Sequence, residues 1–156
     1  MFGFSKKQGN TVREQAKYME LRTRYKARQL EKLIDCFNHT VLDILAVGGS
    51  VRLPGIGLLT PSPDDVDAVT ITTAPKTTQA KRVGRVEFIQ LVAANNGVEG
   101  NDYTCGQLFK LWCECLSKCT ADGASLGVIG SLDPGLRTIT TKPILAARRI
   151  QYSARV

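Results

Sequence analysis

Hydrophobic residues recur at helical spacing in the first third of the chain. The pattern predicts a helix over residues 11–47, which begins at a capping residue, Asn10 or Thr11, and ends at Gly48-Gly49. In its second half the apolar residues follow steps of three and four, which is typical of a helix with one face in a core. These residues are Leu30, Leu33, Ile34, Phe37, Val41, Ile44 and Leu45. The first half is polar and basic, and a break near residues 25–28 would divide the helix.

The residues after the paired glycines predict a β-hairpin. Residues 50–53 alternate in polarity like a strand, Pro54-Gly55 turns the chain, and residues 56–59 resume the strand pattern. A loop rich in Pro and Asp follows, and residues 68–73 are β-branched enough to form the return strand. The polar and basic stretch 75–84 predicts a linker or a short terminal helix.

The same order of elements occurs again in the second half of the chain. Residues 86–93 predict a short helix, and residues 104–120 predict a longer helix with one apolar side. Residues 125–130 are a candidate strand, a tight turn follows at residues 133–135, and residues 136–141 are the return strand. Each half therefore consists of two predicted helices and a predicted hairpin.

A repeated phrase indicates that this order arose by duplication. TITTAP at residues 70–75 returns as TITTKP at residues 138–143, 68 positions later. Equivalent positions are 73 apart at Gly57 and Gly130 and 74 apart in the long helices, so the second copy has the shorter turn. Two copies of a unit too small to bury its own apolar face can pack on each other and close one core. A chance resemblance between two threonine-rich strands is the alternative.

The two helices followed by GGSVRLPGIGLL at residues 48–59 resemble the histone-like HU and integration host factor family. In the second half, EFIQLVA at residues 87–93 and ADGASLGVIG at residues 121–130 carry the same resemblance. The resemblance implies an α+β fold of two tandem HU-like units, each with two helices followed by a β-hairpin. The units would span residues 1–84 and 85–156, so that a single chain forms a pseudo-dimer in place of the family's dimer.

The chain departs from this family at the DNA-binding arms. The family's dimers bend DNA with long basic arms, tipped by an Arg-Asn-Pro type motif that wedges between base steps in the minor groove. Here the arm positions hold only residues 60–67 and 133–135, and the first of these loops carries Asp64, Asp65 and Asp67. Carboxylates repel phosphate, so this loop is not expected to enter a groove. Contacts with DNA would instead come from the basic ends of the chain, through phosphates and without reading the base sequence.

The net charge is +7, and the positive charges concentrate near the two ends of the chain. Residues 1–32 carry nine Lys or Arg against three Glu, and residues 137–156 carry five Lys or Arg and no acid. This distribution indicates a polyanionic partner, expected to be DNA bound without sequence preference, and a merely solvated basic surface is the alternative. Tyr18 and Tyr25 lie among the cations, where either base stacking or ordinary packing is open. The candidate nucleic-acid-binding residues are Lys17, Arg22, Arg24, Lys26, Arg28, Lys81, Arg82, Arg148 and Arg149.

Few residues support catalysis or metal binding. The single histidine, His39, lies within the first predicted helix, where a position on the helix surface or at an interface is expected. Of the five cysteines, Cys113 and Cys115 would point about 160° apart on a helix, so one metal ion cannot be coordinated by all the cysteines of this region. The cysteines are expected as small buried residues, and Trp112 is expected in the core. No enzymatic activity, cofactor or metal is therefore predicted.

The sequence predicts a non-enzymatic, architectural nucleic-acid-binding protein. The alternative is a structural or assembly protein, such as a virion or scaffold component, that uses an HU-like fold for contacts with other proteins. No stretch is apolar enough for a membrane span, and the first residues lack the apolar run of a secretory signal. An intracellular location is therefore expected, or the virion under the alternative, and either role is compatible with a homo-oligomer.

Overall fold

The computed structural model describes residues 11–61, 69–72, 81–83, 85–96, 102–118, 123–134 and 139–141. Within these ranges the fold is α+β, as the sequence predicts, with four helices and seven strands. The helices are α1 (Val12–Glu20), α2 (Ala27–Ala46), α3 (Arg85–Asn96) and α4 (Asp102–Ser117). The strands are β1 (Gly49–Leu53), β2 (Gly57–Pro61), β3 (Val69–Thr72), β4 (Lys81–Val83), β5 (Ala124–Ser125), β6 (Gly130–Leu132) and β7 (Ile139–Thr141).

The strands form two sheets, one from each half of the chain. The first sheet has the order β3-β2-β1-β4, with β1, β2 and β3 antiparallel to one another and β4 parallel to β1. The second sheet has the order β5-β6-β7 and is antiparallel throughout. Each half therefore contains two helices followed by three antiparallel strands, and the first half adds a fourth strand.

The break between α1 and α2 lies at residues 21–26, so it begins four residues earlier than the predicted break at residues 25–28 and overlaps it at residues 25 and 26. A carboxylate oxygen of Glu20 accepts a hydrogen bond of 2.8 Å from the backbone N–H of Ala27 and so satisfies a free donor at the start of α2. Neither Gly nor Pro takes part in this turn. The break is set by a contact across seven residues, which explains why no local sequence signal marks it.

Strand β4 corrects the prediction of a linker or short terminal helix over residues 75–84. Residues 81–83 pair in parallel with residues 49–51 at the edge of the first sheet. A three-residue edge strand is held by backbone hydrogen bonds to its neighbour, so it needs no alternating apolar pattern of its own. The other residues of the predicted linker lie outside the described ranges.

The predicted strand over residues 125–130 is interrupted by a turn. Strand β5 ends at Ser125, and β6 begins at Gly130. Gly127 has φ +57°, a left-handed conformation that turns the chain where an extended strand would continue. Of the predicted return strand over residues 136–141, the structure describes Ile139–Thr141 as β7, and residues 136–138 lie outside the described ranges.

The two TITT phrases occupy equivalent places in the two sheets. Ile71 of the first phrase lies opposite Leu59, and Ile139 of the second lies opposite Leu132. The two phrases are 68 residues apart, and the leucines opposite them are 73 residues apart. Both offsets agree with those found by aligning the two halves of the sequence. The register of pairing is therefore the same in both halves, and the difference in length lies in the connecting loop.

The turns that precede β2 and β6, the partner strands of the TITT strands, also match. The N–H of Ile56 donates to the carbonyl of Leu53 at 2.9 Å, and the N–H of Ile129 donates to the carbonyl of Leu126 at 3.1 Å. In each case the next residue is a glycine that begins the following strand. A common turn and a common register place the apolar residues of both hairpins toward the interior.

The helices of the two halves pack on one another. The first helix of each half, α1 or α3, contacts both long helices, α2 and α4. Between them lie four aromatic residues, of which Phe37 comes from the first half and Phe88, Phe109 and Trp112 come from the second. The ring centroid of Phe37 is 5.2 Å from that of Trp112 and 5.3 Å from that of Phe109. All four are at most 1% exposed, which confirms the core position predicted for Trp112.

One apolar core therefore includes residues from both halves. The boundary expected between residues 84 and 85 stays a prediction, because the halves meet in that core. Cys105, Cys113 and Cys115 are buried within the second half, as expected for small core residues, and Cys36 is half-buried; none of the four is in a disulfide bond. Cys119 lies outside the described residues.

Substitution of Gly123 should separate backbone strain from steric overlap. Gly123 and Gly48 directly precede the first strand of their halves, with φ +79° and +88°, so alanine is strained at either position by about 1–2 kcal/mol. An alanine Cβ at position 123 would also lie 2.5 Å from the carbonyl oxygen of Leu132, whereas nothing lies within 4 Å of a Cβ at position 48. We expect Gly123→Ala to lose a further ~1–3 kcal/mol of unfolding free energy relative to Gly48→Ala, measured by urea titration. Equal losses would contradict the described approach of the two strands.

Candidate nucleic-acid interface

Seven cationic side chains are exposed along α1, the turn after it and the first turns of α2. Five of them were candidates from the sequence. We call this set the basic surface, and it consists of Arg13, Lys17, Arg22, Arg24, Lys26, Arg28 and Lys32. Because α1 packs directly against α2, cations from the two helices lie beside one another.

The three acidic residues of the same segment are engaged in local contacts. Glu14 accepts a hydrogen bond of 3.1 Å from the backbone N–H of Thr11 and completes the capping box of α1. Glu20 caps the start of α2, and Glu31 forms an ion pair of 3.6 Å with Arg13. Two of the carboxylates therefore cap helix ends and the third pairs with one arginine, while most of the cations form no ion pair with them and are exposed to solvent.

A groove of about 430 Å³ runs between α1 and the beginning of α2. Four cations line it, together with Ala27 and two carboxylates, Glu31 and Asp35. Partial burial raises the pKa of the Asp35 carboxyl above its usual range, an effect that nearby His39 opposes and Glu31 reinforces. The cations of the groove are Arg13, Lys17, Arg28 and Lys32. Its charge is therefore positive on balance, which suits an anionic ligand.

Tyr18 is enclosed by cations and does not present a free ring. The guanidinium carbon of Arg22 lies 3.7 Å from the Tyr18 ring centroid, and Arg22 also donates a 3.0 Å hydrogen bond to the Tyr18 carbonyl. The ammonium of Lys118 lies 5.5 Å from the same centroid. Contact with Tyr18, supported by Glu114, raises the pKa of Lys118 above its usual range. Tyr25 packs partly buried against the core, so both tyrosines make packing contacts within the protein.

Gln15 fastens α1 to the second half of the molecule. The indole N–H of Trp112 donates to Gln15 Oε1 at 2.7 Å, and Gln15 Nε2 donates to the carbonyl of Ser125 at 2.8 Å. The Gln15 side chain is fully buried and links α1 to α4 and to β5. The basic surface is thereby carried on a helix that is held in place by the opposite half.

The structure brings together some of the predicted site residues and not others. Lys17, Arg22, Arg24, Lys26 and Arg28 all belong to the basic surface. The remaining candidates do not join this cluster within the described residues. Lys81 and Arg82 lie in the edge strand β4, and Arg148 and Arg149 lie outside the described ranges.

Arg13 and Lys32 were not among the candidates, although both line the groove. Each lies four residues from a cation that the sequence did single out, Lys17 for Arg13 and Arg28 for Lys32. Residues four apart share a helix face, so this spacing was the available signal.

We find no match to this chain among protein-family models, curated proteins or solved structures. Among the residues that the structure describes, no group of three or more His, Cys, Asp or Glu is placed to hold a metal ion. None of the helices in those ranges has both the length and the apolar character needed to cross a bilayer.

Replacement of Gln15 by leucine should destabilise the protein strongly. The leucine fills a similar volume but leaves the Trp112 indole N–H and the Ser125 carbonyl without this partner in a buried site. Each unsatisfied buried group costs about 1–3 kcal/mol, so we expect Gln15→Leu to lose roughly 2–4 kcal/mol of unfolding free energy. The control is Gln107→Leu, at an exposed position of α4, which we expect to change stability by less than about 0.5 kcal/mol. Emission from Trp112, the single tryptophan, reports the urea transition, and equal stability of the two variants would contradict the role assigned to Gln15.

Proposed function

We propose that this chain binds nucleic acid without catalysing a reaction, and that the basic surface contacts the phosphates. The observation that carries the proposal is the arrangement of charge on α1 and α2. All seven cations are exposed, and of these only Arg13 is ion-paired with one of the three acids of the segment, Glu31. Glu14 and Glu20 are engaged in helix caps. With seven cations against three carboxylates over residues 11–32, the segment is positive on balance and attracts a polyanion.

Lysine and arginine side chains on a helix surface suit a phosphate backbone. Each neutralised phosphate releases condensed counterions, which makes the affinity depend steeply on salt. Phosphate contacts position a protein on a duplex but carry no information about base sequence. The proposed activity is therefore sequence-independent binding, for which DNA is the expected partner.

We further propose that the chain consists of two tandem HU-like units. The equal register of the TITT strands, the matching turns and the contacts of α1 and α3 with both long helices support this proposal. In that arrangement a single chain takes the place of a dimer. The DNA-contacting surface would differ from the arms of the HU family, because it lies on the helices.

A salt titration with charge-neutralising variants tests the proposed function. Fluorescence anisotropy with a short random-sequence duplex gives the dependence of log affinity on log salt concentration. We expect Lys17→Gln, Arg24→Gln and Arg28→Gln, combined in one protein, to flatten the slope by up to about 2.7, or about 0.9 for each phosphate that is no longer neutralised. These side chains are exposed, so the combined variant should fold normally.

Lys110→Gln is the control, because it removes one exposed charge from α4 outside the basic surface. We expect it to leave the slope unchanged. An assembly role, the other function that the sequence leaves open, makes a different prediction. Duplex binding would be negligible at physiological salt. The protein would form oligomers whose stability is the same in the wild type and in the charge-neutralised variant.

A further inference from the structure

Leu21 is an exposed leucine surrounded in sequence by cations. Its exposure is 82%, against 65% for Val47 and 37% for Leu91, the other large exposed hydrophobic side chains in the described ranges. Leu21 is the C-cap of α1 and is followed by Arg22, Arg24 and Lys26, all exposed. An apolar side chain and three cations therefore share one short turn.

Hydrogen bonds hold this turn in a defined conformation. The Leu21 N–H donates to the carbonyl of Lys17 at 3.2 Å, and the Thr23 hydroxyl donates to the carbonyl of Met19 at 2.9 Å. The Tyr25 N–H in turn donates to the Thr23 hydroxyl at 3.2 Å. Because Met19 is fully buried, α1 ends against the core while Leu21 is directed to solvent.

The surroundings of Leu21 favour a nucleic-acid duplex over a lipid surface. An interfacial helix needs a continuous apolar face, but Ala16 and Met19, apolar residues of α1, are buried in the core. Over residues 11–32, Leu21 is the one large apolar side chain that is exposed. A single apolar side chain between cations fits a duplex groove, where phosphates flank the edges of the base pairs.

We propose that Leu21 makes an apolar contact with base pairs inside a groove of duplex DNA while Arg22, Arg24 and Lys26 contact the flanking phosphates. This inference rests on the proposed function and adds base contact to it. The apolar contact contributes a part of the affinity that does not depend on salt, because it displaces no counterions.

The test compares Leu21→Ala with Val47→Ala, since Val47 is the exposed C-cap of α2 and is followed by two glycines and a serine in place of cations. Each variant is titrated at several salt concentrations with a DNA duplex, with heparin, a polyanion without bases, and with anionic lipid vesicles. We expect Leu21→Ala to weaken duplex binding by about five- to tenfold at every salt concentration, with an unchanged slope and unchanged heparin binding. Val47→Ala should match the wild type with all three ligands.

Several results would overturn the inference. Equal duplex affinity for Leu21→Ala and the wild type would show that the leucine makes no base contact, while leaving phosphate binding intact. If Leu21→Ala weakened heparin binding as much as duplex binding, Leu21 would act only by maintaining the conformation of the basic surface. Leu21-dependent binding to anionic vesicles with no duplex binding would identify a lipid partner. Absence of salt-dependent binding by the wild type to either polyanion would instead reject the proposed function itself.

Discussion

The hydrogen bond from the Trp112 indole to Gln15 is the contact on which the basic surface depends. Helix α1 has only nine residues, which is too short to be stable alone in water. Only three of its residues are buried, and one of those is Gln15. A buried amide is costly unless its groups are paired, and both ends of this side chain bond to the second half. The cations of α1 therefore keep a fixed position only while the two halves are packed together.

That packing follows from the size of the halves. A unit of fewer than about 90 residues buries too little apolar surface for a large separate core, whereas two such units packed together can share one. The aromatic rings of Phe37, Phe88 and Phe109 meet within it, with centroid distances of 4.8 to 6.3 Å. The outer faces of α1 and α2 take no part in this shared core. Their exposed positions can then hold charge at little cost to stability, which links the shared core to the proposed function.

The sequence predicted the elements that carry their own periodic signal. The apolar stripe of α2, the glycine-marked turns and the TITT strands all follow from spacing, and the register of Ile71 and Ile139 agrees with it. The features it did not predict depend on contacts between distant residues. Strand β4 forms by pairing with the edge of β1. The polar sequence of α1 gives no signal that the side chain of Gln15 is buried. For the site, five of the seven cations of the basic surface were predicted. The groove, which Lys17 and Arg28 line together with Arg13 and Lys32, required the packing of α1 on α2.

The central claim is that a polyanion binds to the basic surface of the folded chain, and amide chemical-shift mapping tests it most directly. Nitrogen-15-labelled protein would be titrated with a short DNA duplex at low salt. The account predicts that the largest changes fall within residues 13–32, while the buried indole N–H of Trp112 keeps its position because the core is undisturbed. Changes confined to the strands of the second sheet, or no changes at all under these conditions, would contradict it.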